Sequence, residues 1–197
     1  MATPMTHYRI EPGLSRFTVQ AFAGGLLAGF GHNPSFAVRD FGGEACFSPD
    51  APESSSLTLE IRSGSLELTN DVSDKDRREI ERTMKEEVIE TAQYPLIQYH
   101  GSVASISQLG PSRYRVNLSG KLSLHGATLD QPLVADLSVT GDLLRANGNF
   151  SILQSAYGIK LVSVAGGSLK IKDELKCAFD IAARKQEGSG LGASSCV

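Results

Sequence analysis

Arg113-Tyr-Arg-Val-Asn-Leu-Ser-Gly-Lys-Leu-Ser-Leu124 is the stretch on which the fold class turns. Tyr114, Val116, Leu118, Leu122 and Leu124 are apolar, while Arg113, Arg115, Asn117, Ser119, Lys121 and Ser123 between them are polar; Gly120 alone breaks the apolar series. Successive side chains of a β-strand point to opposite faces, so this alternation predicts a long strand with one dry surface. Upstream, the period of two recurs in Phe17, Val19 and Ala21, in Leu57, Leu59 and Ile61, and in Ile97 and Tyr99. Phe36 and Val38 are followed by Gly42-Gly43 and then by Ala45 and Phe47, which predicts a strand bent at the two glycines. Downstream the pattern continues in Leu133 to Val139, in Ala146 to Ile152 and in Leu175 to Ala183. The sum is about eight strands, most of them joined by short turns. Antiparallel strands of this number favour a closed barrel, which leaves no unpaired edge.

One segment breaks the pattern. Between Asp71 and Ala92, Ile80, Met84 and Val88 recur every four residues in a highly charged background, and Ser73 with Asp76 forms a capping-box start. One amphipathic helix is predicted here, ended by Tyr94-Pro95 because a proline pushes its predecessor out of helical space. Its charged face suits a solvated lid or end-cap on the barrel. From Gln186 the chain becomes rich in Gly and Ser, so the expected organisation is one β-barrel domain over residues 1–185 and a flexible tail over 186–197.

Composition narrows the function. The 197 residues carry 19 Lys plus Arg against 22 Asp plus Glu, a net charge of −3 with no basic tract, which argues against a nucleic-acid partner. No apolar run is long enough to span a bilayer as a helix, and the first residues lack a charged start and an apolar core of a signal peptide, so a cytoplasmic location is expected. Cys46, Cys177 and Cys196 are too few and too scattered for a disulfide framework or a cysteine zinc site; Cys177, on an alternating strand, is expected to be a small buried hydrophobe. Cys196 stands second from the end, not fourth as prenylation requires.

Catalytic signals are weak. His7, His32, His100 and His125 form no metal-ligand spacing, and neither a nucleophile elbow nor a nucleotide fingerprint occurs, so no catalytic residue, metal or cofactor is assigned. Gly24 to Gly31 lacks the Lys-Ser or Lys-Thr of a phosphate loop and reads as a glycine-rich connection that carries Phe30. His32-Asn33-Pro34 and Leu124-His125-Gly126 fall at strand ends, which places His32, Asn33 and His125 at a barrel mouth.

Phe30-Gly-His-Asn-Pro-Ser-Phe36, Phe41-Gly-Gly-Glu-Ala-Cys-Phe47, Tyr94-Pro-Leu-Ile-Gln-Tyr99, Gly120-Lys-Leu-Ser-Leu-His-Gly-Ala-Thr128 and Phe150-Ser-Ile-Leu-Gln-Ser-Ala-Tyr-Gly-Ile159, in that order, resemble the YceI-like family over about Tyr8 to Arg184. The resemblance implies a mainly β, lipocalin-like antiparallel barrel of eight strands with one inserted helix, and a long pocket for a polyisoprenoid or other long-chain amphiphile.

Physics supports such a pocket independently. An eight-stranded barrel either fills with side chains or admits one slender ligand. The inward positions Ala21, Ala45, Ala135, Ala146, Gly148 and Ala183 are small, and no Trp is present to plug the space. The expected wall combines Phe17, Val19, Phe36 and Val38 from the opening strands with Phe30, then Tyr99, Leu118 and Leu122, then Phe150, Ile152, Tyr157 and Ile159. The leading expectation is a carrier for an isoprenoid quinone, polyprenyl or fatty-acid-like lipid, with no catalytic role. The alternative is a metal- or His-dependent enzyme working through His32 or His125 at the mouth. A third reading is a packed barrel whose helix or exposed edge forms a homodimer.

Overall fold

The computed structural model describes residues 5–24, 33–164 and 169–186. Eight antiparallel strands close into a barrel, with one helical segment between the third and fourth. The strands are β1 (Thr6–Ile10 and Arg16–Gln20), β2 (Ser35–Val38 and Phe41–Phe47), β3 (Ser56–Arg62 and Leu66–Leu68), β4 (Leu96–Gly110), β5 (Arg113–Leu124), β6 (Leu133–Thr140), β7 (Leu143–Leu153) and β8 (Glu174–Lys185). Each pairs with its neighbour in sequence, and β8 closes the ring by pairing both halves of β1, Tyr8 against Lys185 and Phe17 against Phe179. The eight-stranded barrel with one helix expected from the alternation is the fold observed.

The first three strands are each broken midway, and the breaks lie side by side. In β1 the interruption is the single turn Pro12–Leu14, in β2 it is Arg39 and Asp40, and in β3 it is the turn Ser63–Ser65. Backbone bonds stitch the breaks together: Arg39 N donates to Ser65 O and Arg62 N to Asp40 O. The bend expected at Gly42-Gly43 is therefore displaced to Arg39-Asp40. Gly43 serves another purpose inside the strand, where at φ 152° a Cβ would lie 2.0 Å from Thr58 O. Close approach of β3, rather than a corner, requires the glycine.

Helix α1 (Asp74–Thr83) runs on into a π-helical turn, Met84–Val88. Ser73 caps it by accepting from Asp76 N at 3.1 Å, and the Ser73 hydroxyl donates to the Asp76 carboxylate at 2.7 Å, the box read from the sequence. The helical segment ends before Tyr94-Pro95: Glu90 adopts a left-handed conformation at φ 51°, and Tyr94 N turns back to Glu90 O. α1 also covers a free strand edge. Arg77 donates to Leu68 O and Asn70 O, and Glu81 accepts from Leu68 N at 2.9 Å, so the last strand segment of β3 is not left open.

In β4 the register shifts between Val103 and Ser105, which brings both Val103 and Ile106 against the core. That bulge hides the second half of the strand from a period-two reading. On the outside, Arg115 forks onto Asp136 at 2.8 and 3.1 Å and Arg145 onto Asp180 at 2.6 and 2.6 Å. These pairs are solvated and fix strand register more than stability. Cys177 is a free thiol, buried as expected. Cys46 is disulfide-bonded, which its spacing in sequence did not signal, since bridging follows proximity in the fold.

Candidate functional site: an apolar cavity beneath the helix

The barrel does not fill with its own side chains. A cavity of about 610 Å³ occupies the interior, several times the ~150 Å³ of an engineered apolar void that binds benzene. All eight strands contribute to its wall, and the helical segment roofs it with Ile80 of α1 and Met84 and Val88 of the π-helical turn, the every-fourth-residue series read from the sequence. Phe47, on the wall, meets Tyr114 edge-on at 5.4 Å, and buried Tyr8 belongs to the same core cluster behind it. Among the described wall residues only Asp76 and Glu79, both on α1, are exposed, so within the described residues the wall meets solvent beside the helix.

The residues expected from sequence fall into four groups. Phe17, Val19, Phe36, Val38, Tyr99, Leu118, Leu122, Phe150, Ile152 and Ile159 all line the cavity. Phe17, Phe150 and Phe179 form a loose aromatic row, with ring centres 6.4 and 6.5 Å apart. Tyr157 is buried but stands behind the wall, packed with Tyr99, Leu124 and Ile159. Phe30 and His32 lie outside the described residues, as do the rest of the glycine-rich connection after Gly24 and all of the expected tail except Gln186.

Asn33 and His125 were placed at the mouth from sequence, and neither is part of the cavity wall. Asn33 holds the chain beside the entrance: its side chain accepts from Ala23 N at 3.0 Å and its carbonyl accepts from the Asn70 side chain at 3.0 Å. His125, with a side chain only 9% exposed, is a structural joint. One ring nitrogen lies 2.8 Å from the Glu90 carboxylate, the other 3.2 Å from Tyr157 O, and Tyr94 packs on the ring at 4.3 Å. This joint ties the end of the helical segment to β5 and to the turn after β7. Hydrogen-bond contacts at both ring nitrogens and the Tyr94 ring account for its position. Among the described residues no group of three His, Cys, Asp or Glu side chains is placed to hold a metal ion.

Of the small inward positions, Ala21, Ala45, Ala135, Ala146 and Ala183 line the cavity. Gly148 does not leave room: a Cβ there would lie 2.7 Å from the Phe179 ring, which occupies the space. Gln154 was missed by the sequence reading although it continues the inward parity of Phe150 and Ile152. It is 4% exposed, lines the cavity, and is a polar side chain where the strand's dry face runs out.

The YceI-like domain matches residues 8–183, nearly the whole chain. The chain belongs to the YceI-like family. Among solved structures, this YceI-like barrel is similar to BcnA of Burkholderia cenocepacia, at a TM-score of 0.64 and 17% identity, covering 88% of this chain and 98% of that one. It is also similar to a polyisoprenoid binding domain from Saccharophagus degradans implicated in plant cell wall breakdown, at a TM-score of 0.66 and 15% identity over 91% of this chain and 98% of that one. A third is the Campylobacter jejuni YceI protein, at a TM-score of 0.53 and 14% identity over 76% and 84%. At such identities the likeness establishes the shared fold. No curated relative matches in sequence. No helix among the described residues of the YceI-like chain is long and apolar enough to cross a membrane.

Proposed function

We propose that this YceI-like protein binds and carries a long-chain amphiphile, an isoprenoid or other lipid, with its tail in the barrel and its head at the entrance beside α1. The observation that carries this reading is the cavity itself: about 610 Å³, walled almost entirely by aliphatic and aromatic side chains. A dry void of that size would cost on the order of 10 kcal/mol by the cavity penalty measured in core mutants, comparable to the net stability of a whole domain. Water offers little relief against an apolar wall. A hydrocarbon chain removes the penalty and gains ~0.8 kcal/mol for each buried methylene. The polyisoprenoid-binding description of the Saccharophagus relative is consistent with this reading and suggests an isoprenoid tail. The carrier role requires no catalytic residue, and His125 is held by Glu90 and Tyr157 away from the wall.

Native mass spectrometry of the purified protein, followed by organic extraction and lipid identification, tests the proposal. The expected result is a copurifying lipid that extraction removes and that added isoprenoid replaces. A protein that is always ligand-free and gains no thermal stability from any lipid would overturn it.

A further inference from the structure

Which head group the entrance accepts can be read from the charges and hydrogen-bonding atoms of the wall. Asp76 and Glu79 are the only charged side chains among the described wall residues, and no Lys, Arg or His is among them. Arg77, on the same helix, is committed to Leu68 O and Asn70 O. Lys170, Lys172 and Lys176 are exposed and outside the wall. The stretches 25–32 and 165–168 contain no Lys or Arg in sequence. An anionic head against this wall would face the Asp76 and Glu79 carboxylates, with Lys75 and Arg78 on the same helix turned outside the described wall, which disfavours it both by repulsion and by desolvation.

Gln154 supplies a second, independent observation. Its amide nitrogen donates to Lys172 O at 2.9 Å and makes a longer contact with Asp173 O at 3.4 Å. Two carbonyls on one side fix which end of the amide is nitrogen, because an oxygen turned toward them would be repelled. The amide oxygen is thereby turned away from that loop, and no donor among the described residues reaches it. A side chain that is 4% exposed, on the wall of an apolar cavity, thus offers an unused acceptor. An acceptor without a donor on an apolar wall is one that a ligand hydroxyl would satisfy.

We infer that the cavity selects chains with a neutral, hydrogen-bond-donating head, a hydroxyl above all, over carboxylates and phosphates, with Gln154 accepting from the head and Asp76 and Glu79 repelling anions. This rests on the carrier reading and narrows its ligand class, so that an alcohol or phenol carrying a prenyl chain fits and a fatty-acid anion or prenyl phosphate does not.

Displacement of the neutral fluorophore N-phenyl-1-naphthylamine from the delipidated full-length protein by farnesol, farnesyl methyl ether and farnesyl monophosphate tests the inference on one constant tail. Farnesol is expected to bind about three- to tenfold more tightly than its ether, the worth of one neutral hydrogen bond, and more tightly still than the phosphate. Gln154→Leu should abolish the preference for alcohol over ether. Asp76→Asn combined with Glu79→Gln should raise phosphate affinity relative to farnesol. Phosphate binding as tight as farnesol in the wild-type protein, which needs no variant to fold, overturns the selection. Equal binding of alcohol and ether in the wild type overturns the role of Gln154. If the fluorophore and all three chains fail to bind, it is the carrier reading that falls, and the selection with it.

Discussion

Tyr99 explains the one gap in the alternation of β5. Gly120 pairs with Gly101 across β4 and β5, and a Cβ on either would lie 2.3 or 2.7 Å from the Tyr99 hydroxyl. The apolar position missing from the sequence pattern is where a neighbouring ring lies over bare backbone. Gly120→Ala should therefore cost about 1–3 kcal/mol through overpacking, measurable by denaturant unfolding. The Tyr99 hydroxyl donates to Gln131 O at 3.2 Å, and burial pushes its pKa up to about 12 from 10.0. The native state holds this proton more tightly than the unfolded chain does. Its contribution to stability is complete below pH 10.0 and is lost as pH rises toward about 12. Tyr99→Phe is expected to flatten that alkaline decline in part, since burial also raises Tyr8 and Tyr157. An unchanged pH dependence of the unfolding midpoint would refute the assignment. What could not be read at this scale was Gln154 as an acceptor, because the carbonyls that orient its amide come from a loop 18 residues away in sequence.

The helical segment is fastened at both ends and apolar between them. Arg77 and Glu81 hold its first half to Leu66–Leu68, and Glu90 holds its end to His125. Ile80, Met84 and Val88 touch the cavity in between. Loosening either attachment should let the roof open more often while the barrel stays folded. Arg77→Ala and His125→Ala are each expected to speed release of a bound fluorescent lipid several-fold, with the far-ultraviolet circular dichroism of the barrel unchanged. Release rates equal to wild type would mean that the ligand leaves by another route. The cap at Ser73 was legible because it is local, a side chain bonding three residues on. The end at Glu90 was not, because its left-handed turn is stabilised by a histidine 35 residues further along. The break of β2 at Arg39-Asp40 escaped notice for the same reason: its bonds run to β3.

At the scale of the whole molecule, the ring of eight strands was readable because every strand keeps a period of two over most of its length. The residues that line the interior followed from that parity. The volume they leave empty did not, since it depends on how Phe179 lies over Gly148 and how far the strands stand apart. A protein built around such a space should be most stable when it is filled. Ligand at a hundredfold excess over Kd adds ~2.7 kcal/mol, which for a domain of this size raises Tm by roughly 5–10 °C. Thermal unfolding of extracted against reloaded protein measures this, and identical melting curves would count against a resident lipid. The Phe47–Tyr114 contact, with Tyr8 in the same cluster, has a consequence for traffic. If those rings keep that end shut, a chain that enters tail first beside the helix backs out head first, and donor and acceptor take turns at one doorway; a lipid that leaves at an unchanged rate when the helix is crosslinked shut would show a second exit.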